Sequence, residues 1–375
     1  MRKFFRSPFL WTAILIGFSS IPILSGGLEQ KNNSDMRHDA LSYLKTKVPA
    51  VYEMMRYVEY ARQRIPFSVG TYDFKITLGS KFDWVGYIDS TNLYNRFTGL
   101  DIAVHESCHF FTTLALMWLD DHHRINEKIL NRNWYLYPLF YKKAVLTPLT
   151  VCFPARKIDA IFPKDFPAFS YKNYILGIPI ATSTQVDGIY GLLDEWNAYI
   201  HDAQVILSFS HLWPFENGQW VKYWINLHSN VLDPIYSFAL YIQYYLKFAR
   251  TRNPVVYHAL CSNKAFVTAL AQIRNLADGT LKKTFTILDS AKTYWKNHGL
   301  TKKYGFDEWH LMVMEKNVKS KVFTEYIIPK DTKLPYLRKY GNSIHEIEDL
   351  IKKCQGKQKT SLEYIVQFET PAKMK

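Results

Sequence analysis

The five residues from His105 to His109, which read His-Glu-Ser-Cys-His, constrain this chain more than any other stretch. Residues four apart lie one above the other on the same face of a helix, so the imidazoles of His105 and His109 can bind one metal ion together. Glu106 stands next to the first histidine, where it can hold and deprotonate a water bound to that metal. The stretch therefore predicts a helical metal site with its own base.

The segment around this motif has the composition of a buried helix. Residues 100–119 are almost wholly apolar and contain neither proline nor glycine. An unpaired polar group in a core costs about 1–3 kcal/mol, so the polar residues here must face something that satisfies them. A metal ion in a cleft would do so, and the alternative is a core helix with two hydrogen-bonded histidines. These polar residues form one stripe: His105, Glu106, His109, Thr112 and Thr113.

A catalytic zinc site uses three protein ligands and keeps one position open, so the motif leaves one ligand to be found. One known pattern places a glycine and a third histidine just after the motif, but Thr112 and Ala115 stand at those positions here. A distant ligand is therefore needed, and Glu195 is the best candidate. The alternatives are Asp194, His201 and His122.

Glu195 lies on a second segment, 187–209, that also reads as a buried helix. It shares a face with Gly188, Gly191 and Ala198. Small residues around a carboxylate let another helix approach closely. The sequence thus predicts two packed helices that carry the ligands between them.

This arrangement resembles the gluzincin class of zinc metallopeptidases, in which two histidines and a glutamate sit on two packed helices in the thermolysin-like manner. The resemblance covers the motif helix, the glutamate helix and the region just before them. It implies that His105, His109 and Glu195 bind one zinc ion per chain. Gluzincins often carry an aspartate four residues after the glutamate to orient a ligand histidine. That position is Tyr199 here, and Asp202 lies one turn further on.

The resemblance also implies the chemistry of the site. Glu106 would not bind the metal; it would act as the general base that activates the zinc water and passes its proton to the leaving amine. A tyrosine or histidine usually holds the oxyanion in this class, and the sequence does not choose among four of them. The candidates are Tyr190, Tyr199, His201 and His211.

The N-terminus has the pattern of an export signal. A positively charged start is followed by an uncharged apolar run over 9–24 and by Ser25-Gly26-Gly27. The run is short for a membrane span. We expect a signal peptide over 1–27 and a mature chain that begins near Leu28, in the periplasm or outside the cell. An uncleaved N-terminal anchor is the alternative, and a cytoplasmic protein with a buried first helix is the third.

Charge and cysteine content bound the partners. The net charge is +14, but no basic run interleaved with stacking aromatics suggests a nucleic-acid groove, so we expect no nucleic acid. The resemblance to metallopeptidases implies a peptide or protein substrate. Membrane contact is expected only through the N-terminal segment, if it is retained. The four cysteines contain no C-x-x-C pair and allow three disulfide pairings. They are Cys108, which we interpret as a small buried hydrophobe, Cys152, Cys261 and Cys354.

The pattern along the chain predicts a mainly helical α+β fold. Residues 67–89 alternate between apolar and polar types with recurrent glycine, which predicts a small antiparallel sheet before the motif helix, with an edge where a peptide could lie. Residues 119–187 predict short helices and loops. We expect a zincin-like metal-binding core over 28–212 and a mostly helical C-terminal region with a basic tail over 213–375. Thr98 or Asp101 is expected to cap the motif helix.

Three functions fit these patterns. The first is an exported zinc hydrolase, most simply a metallopeptidase, and the intact Glu106 favours it because a structural site needs no base. The second is a non-enzymatic envelope protein whose zinc site is structural or whose motif is accidental. The third is a zinc enzyme that acts on another amide, such as a cell-wall peptide or an acyl chain.

Overall fold

The computed structural model is mainly helical. The predicted signal peptide lies outside the residues that the structure describes, and so do residues 67–81 and 89 of the predicted first sheet. The described ranges are 33–63, 82–88, 93–130, 132–164, 168–178, 182–212, 220, 223–224, 226–298, 301–304, 308–317, 320–328, 345–355 and 364–368.

Both predicted site helices are present. Leu93–Thr113 carries the motif and is called the motif helix below, and Ile189–Ser208 is called the glutamate helix. The motif helix begins at Leu93, so the prediction of a cap at Thr98 or Asp101 was wrong. Asp101 instead lies inside the helix, one turn before the motif, and is buried. Other long helices are Asn33–Lys47, Pro49–Gln63, Asp233–Arg252, Pro254–Ser262, Lys264–Asn297 and Glu346–Gln355.

Shorter helical segments join these elements. Helix Lys264–Asn297 continues through Gly279 without a break. The short segments are Trp84–Tyr87, Ala115–Asp121, Glu127–Leu130, Ala155–Ala160, Tyr171–Tyr174, Ser183–Val186, Phe209–Leu212 and the π-helical Leu227–Leu232.

The glutamate helix is the centre of the hydrophobic core. Each of its residues except Tyr199 and Ser208 is buried. It packs against the motif helix on one side and against helices Asp233–Arg252 and Lys264–Asn297 on others. A carboxylate on such a helix is held in place by the packing of the whole domain rather than by its own rotamer preference.

Two glycines let neighbouring backbone approach the start of the glutamate helix. Gly188 has a φ of +57°, and a side chain there would meet the carbonyl oxygen of Phe153 at 2.3 Å. A side chain on Gly191 would lie 2.5 Å from the backbone of Ser183. At Gly191 the approaching element is a helix, as expected, namely Ser183–Val186, whereas at Gly188 it is the non-helical backbone of Phe153.

The described part of the N-terminal half holds an antiparallel sheet at a place that the sequence did not indicate. Strands β1 (Trp134–Pro138) and β2 (Lys143–Pro148) form a hairpin after the motif helix, where we predicted short helices and loops. The turn contains Tyr141 and Lys142 at positive φ, +59° and +62°. Asn or Gly usually occupies such positions, so the sequence carries no hairpin signal here.

Where the structure describes the segment expected to form strands before the motif helix, that segment is helical rather than extended. Within 82–88 the chain forms the 3-10 helix Trp84–Tyr87 instead of a strand. Asp83 caps this turn by accepting a hydrogen bond from the backbone N–H of Val85 at 3.2 Å. That local bond replaces the ladder bonds a strand would make.

The described part of the C-terminal region is mostly helical and also contains strands. Antiparallel strands β3 (Thr301–Tyr304), β4 (Glu308–Asn317) and β5 (Ser320–Ile328) form a second sheet, which the sequence did not indicate. β5 is rich in β-branched and aromatic residues, which favour strands. The division of the chain at residue 212 remains a prediction.

The C-terminal residues 345–355 and 364–368, called the C-terminal clasp below, are fastened to the core by several kinds of bond. Glu346 accepts two hydrogen bonds from Arg250, at 2.6 and 2.9 Å. A disulfide joins Cys261 to Cys354, a pairing that the sequence left open. Strand β6 (Ile365–Gln367) adds to β2 near the end of the chain.

The clasp ends directly against the motif helix. Phe368 is 1% exposed, and its ring lies 4.8 Å from that of Phe111 and 5.7 Å from that of Tyr57. Phe111 follows His109 by two residues, so the C-terminal strand supports the back of the motif helix. Trp118 adds a hydrogen bond from its ring nitrogen to the carbonyl oxygen of Gln367 at 3.3 Å.

We expect Phe368→Ala to lower the free energy of unfolding by about 3 kcal/mol, because it leaves a cavity between two aromatic rings of the core. Urea denaturation of wild type and variant measures the difference. Val255→Ala is the matched control, since Val255 is 70% exposed and its truncation should change stability by less than about 0.5 kcal/mol. Equal stability of Phe368→Ala and wild type would contradict the packing of the clasp.

Candidate metal centre

The motif helix presents both histidines to one point. The Nε2 atoms of His105 and His109 lie 3.1 Å apart, one helical turn from each other. Oε2 of Glu195 lies 3.8 Å from the first and 3.5 Å from the second. The three predicted ligands are thus brought together, with ligand atoms all within 4.8 Å of one another, close enough to hold one metal ion.

Two carboxylates on the glutamate helix set the orientation of these imidazoles. Nδ1 of His105 donates to Oδ2 of Asp202 at 3.1 Å, and Nδ1 of His109 donates to Oδ2 of Asp194 at 2.6 Å. The other oxygen of Asp194 accepts a hydrogen bond from the Thr112 hydroxyl at 2.7 Å. Because each Nδ1 carries the proton, each Nε2 turns a lone pair toward the common point.

The expected orienting role of Asp202 fits this geometry, whereas the role of Asp194 was not predicted. Asp194 was considered only as an alternative ligand, but it faces the Nδ1 side of His109 and not the Nε2 side. Asp194 lies beside Glu195 and eight residues before Asp202, and this spacing was a usable signal. Those spacings place all three carboxylates along the side of the glutamate helix that faces the motif helix.

The converging atoms call for a cation. Oε2 of Glu195 is buried and has no hydrogen-bond partner among the described residues. When both imidazoles are neutral, their Nε2 lone pairs and Oε2 of Glu195 point at the same place, so three acceptors would meet there without a donor between them. Leaving buried acceptors unpaired costs about 1–3 kcal/mol each, and a metal ion would satisfy all three. Two imidazole nitrogens and one carboxylate oxygen are a donor set that suits zinc.

The electrostatic surroundings favour positive charge at this point. Burial lowers the pKa of His105, but its contacts with Asp202 and Glu195 outweigh burial and raise the pKa to about 9. The pKa of His109 is likewise raised by Asp194 and Glu195 against the effect of burial. Burial raises the pKa of Glu195, yet the charges of His109 and His105 carry it down to about 2. A divalent cation would therefore replace protons on the imidazoles when it binds.

Asp101 adds a further carboxyl group to this region. It is buried, and its side chain accepts a hydrogen bond from the backbone N–H of Ile102 at 2.7 Å. Its pKa is raised well above the usual value, first by burial and then by the charge of Asp202. Asp101 is therefore close to the orienting carboxylate of His105 rather than a ligand of the cluster.

Glu106 stands beside the ligand cluster and is not part of it. Its charge raises the pKa of three tyrosine hydroxyls, for each of which burial is the larger cause: Tyr87, Tyr174 and Tyr199. The three hydroxyls are therefore close enough to this carboxylate for its charge to act on them. Tyr199 belongs to the glutamate helix, while the other two lie on short segments whose place beside the site the sequence did not indicate.

Tyr199 is fixed over the metal-ligand face. Its ring meets that of His105 edge-on with centroids 4.4 Å apart. Its hydroxyl lies 3.0 Å from the hydroxyl of Tyr174, on the short helix Tyr171–Tyr174. The two tyrosines thus form a hydrogen-bonded pair at the edge of the candidate site.

The other residues that the sequence offered as ligands or as oxyanion donors lie outside the ligand cluster. His201 is buried, donates from Nδ1 to the carbonyl oxygen of Asn197 at 2.9 Å, and has a pKa lowered to about 4, mainly by burial. His122 and His211 are exposed and bonded to backbone carbonyl oxygens of their own helical turns. The hydroxyl of Tyr190 bonds to Thr150 and Asn263, away from the ligands. Cys108 is buried and free, as predicted for a small hydrophobe.

No protein-family model, no curated protein and no solved structure matches this chain. The resemblance to gluzincins therefore rests on the motif and on the three converging ligand atoms. Among the described helices, none combines the length and apolar character that crossing a membrane requires.

We expect purified protein to bind about one zinc ion per chain, measured by elemental analysis and by competition with a chromophoric chelator. His105→Ala, His109→Ala and Glu195→Ala should each weaken binding sharply, because each removes one of three ligands. Asp194→Asn and Asp202→Asn should each weaken it about 10- to 100-fold, because they loosen the orientation of a ligand imidazole.

His122→Ala is the control for this series, since His122 is an exposed histidine outside the cluster. Its zinc affinity should equal that of wild type. Wild type that takes up no zinc after purification without chelator would contradict the site as a whole. Full affinity in Glu195→Ala would contradict the third ligand alone.

Proposed function

We propose that this chain is an exported zinc-dependent hydrolase that acts as a metallopeptidase on peptide or protein substrates. The observation that supports this most is the convergence of the two Nε2 atoms with Oε2 of Glu195, while Glu106 stands on the same helix face outside the ligand set. A base placed beside a metal is needed for hydrolysis and is not needed for structural support.

The residues of the chain divide the work of hydrolysis among them. A bound zinc ion would lower the pKa of a coordinated water to about 7 and polarise the substrate's carbonyl group. Glu106 would accept a proton from that water and pass it to the leaving amine. Asp194 and Asp202 would keep the Nδ1 protons of the two histidines and so hold both Nε2 atoms toward the metal.

Tyr199 is our candidate for the residue that binds the oxygen of the scissile carbonyl as charge develops on it. It lies against His105, and of the four residues considered from the sequence it is the one near Glu106. The neighbouring hydroxyl of Tyr174 would fix the direction of its O–H bond. Such a donor acts best when it is held in place before the reaction, and the pair provides this.

A structural zinc site remains the second candidate. Structural sites usually close with four protein ligands, whereas the cluster seen among the described residues supplies three. An open position favours catalysis over structure. The third candidate, a zinc enzyme that acts on a different amide, would use the same catalytic groups. Only the substrate that is cleaved distinguishes it from the peptidase.

The disulfide supports the proposal of export. Disulfides such as Cys261–Cys354 persist in oxidising compartments and are rare in the cytosol. The positively charged, then apolar N-terminus is typical of an export signal. Both features fit a periplasmic or secreted protein.

We expect Glu106→Gln to keep the fold and the bound zinc, because the amide is nearly isosteric and removes no ligand. Hydrolysis should fall by about 10²–10⁴-fold, because an amide does not accept the proton of the water. A mixed peptide library read by mass spectrometry measures this. Glu348→Gln, at an exposed ion pair with Arg274, is the control and should cleave like wild type. Equal cleavage by Glu106→Gln and wild type would assign the activity to another site or to a contaminant.

Tyr199→Phe should reduce kcat by about 10²-fold with little change in KM, because the lost hydroxyl acts on charge that develops only in the transition state. Zinc content should not change. Tyr174→Phe should cause a smaller loss, since that hydroxyl only directs its neighbour. Steady-state kinetics on one cleaved peptide compares the two variants, and an unchanged kcat in Tyr199→Phe would exclude it as the oxyanion donor.

A further inference from the structure

A cavity lies apart from the candidate metal centre, between the sheet β1–β2–β6 and the start of helix Lys264–Asn297. Its volume is about 560 Å³. Small-molecule sites typically measure roughly 300–1,000 Å³, so the cavity is large enough for a compact ligand. Its lining includes none of the three proposed metal ligands, and neither Glu106 nor the two orienting aspartates. The cavity is therefore a separate candidate site.

One face of the sheet forms an apolar floor for this cavity. Trp134 is paired with Pro148, and Val366 is paired with Ala144, across neighbouring strands. Directly paired residues project to the same side, and so do alternate residues of one strand, which places Leu146 on this face too. Trp134, Leu146 and Pro148 line the cavity and are only half-buried, so their apolar surface is open to a ligand.

The other face of β1 is anchored in the core. The hydroxyl of Tyr135 donates to Oδ2 of Asp187 at 2.6 Å, and that of Tyr137 donates to the carbonyl oxygen of Tyr190 at 3.0 Å. Both acceptors lie at or just before the start of the glutamate helix. The floor is thus fixed before a ligand binds, which lowers the entropy that binding costs.

The rim of the cavity is positively charged. The lining contains Arg124, Arg132 and Lys264 and no carboxylate. Both arginines are exposed, and neither guanidinium pairs with a carboxylate among the described residues. The guanidinium of Arg124 lies over the ring of Trp118, 5.4 Å from its centre. Lys264 donates to the carbonyl oxygen of Cys354, a neutral acceptor that leaves the charge of the ammonium group in place.

Two other arginines of the described chain have carboxylate partners, in contrast to those at the rim. Arg250 donates to Glu346 at 2.6 Å, and Arg274 lies 3.2 Å from Asp278. Like charges around one opening repel each other and concentrate positive potential there, which attracts anions. A guanidinium also matches the paired oxygens of a carboxylate or phosphate group. The rim therefore suits an acid group, and the floor suits an apolar body.

We propose that this cavity binds a small organic anion that carries an apolar chain. Its acid group, a carboxylate or a phosphate, contacts Arg124 and Arg132. Its chain covers the apolar floor formed by Trp134, Leu146 and Pro148 and removes that surface from water. A fatty acid and an alkyl phosphate share this chemistry, and their head groups distinguish them.

The test titrates zinc-loaded protein in a calorimeter with compounds that share an octyl chain and differ in the head group. Octanoate or octyl phosphate should bind about 10-fold or more tightly than octanol, because only the acids meet the arginines. The tighter of the two acids identifies the head group. Octylammonium should bind more weakly than octanol, because the rim repels it. Inorganic phosphate should bind about 10-fold or more weakly than octyl phosphate, because it leaves the floor uncovered.

Arg124→Gln and Arg132→Gln should each weaken binding of the preferred acid about 3- to 10-fold, and added salt should weaken binding to wild type more than to the double variant. Arg156→Gln is the matched control, because Arg156 is an exposed arginine on the short helix Ala155–Ala160, outside the lining. Its affinity should equal that of wild type. Leu146→Ala should weaken binding of the octyl compounds but not of inorganic phosphate, because it shortens only the floor.

An acid could also bind a metal ion at the candidate metal centre, so the titration is repeated with His109→Ala, which lacks one proposed ligand. Its affinity for the preferred acid should equal that of wild type. Loss of binding in His109→Ala would assign the acid to the metal centre and overturn the cavity site. Absence of binding by both acids, equal binding of octanol, or an unchanged affinity in the double arginine variant would also overturn it. These outcomes do not depend on whether the chain cleaves peptides.

Discussion

The candidate site depends on the hydrogen bonds between two histidines and two aspartates on facing helices. His105 bonds to Asp202 and His109 bonds to Asp194. Each bond joins the motif helix to the glutamate helix and also decides which imidazole nitrogen faces the ligand position. The same contacts thus hold the helices together and aim the ligands. Without them the histidines could rotate and the three acceptor atoms would not meet.

Burying these carboxylates is costly unless positive charge accompanies them. Asp194, Glu195 and Asp202 are each less than 10% exposed and lie within one short stretch of the glutamate helix. Charged groups in a core cost several kcal/mol each unless they are paired. The two imidazoles and a divalent cation together would supply that pairing. The charge of the site, as well as its geometry, is therefore what a metal-binding site requires.

The framework around the site explains how the ligand atoms are held in place. The glutamate helix is buried along nearly its whole length, and Gly188 and Gly191 let backbone close against its first turn. The C-terminal clasp places Phe368 behind the motif helix and ties the end of the chain to the core through Cys354. Catalytic groups need positions fixed to a fraction of an ångström, and packed helices provide this better than loops.

The sequence determined the parts of the site that repeat with the period of a helix. His105, Glu106 and His109 share one face because of their spacing alone, and Glu195 stood out as a carboxylate in a second apolar segment. The long helices were likewise predictable from apolar periodicity, although the motif helix begins earlier than its capping residues suggested. These features depend on neighbours along the chain, which the sequence records directly.

Only the tertiary structure decided which distant groups meet. It paired Asp194 with His109 and placed the ring of Tyr199 against that of His105. It also revealed a hairpin after the motif helix. The sequence did not indicate this hairpin, because Tyr141 and Lys142, which have positive φ in its turn, are not the residues typical of such positions. The pairing of Cys261 with Cys354 was one of three that the sequence allowed. Contacts of this kind depend on how whole elements pack, and no local pattern of residues encodes that packing.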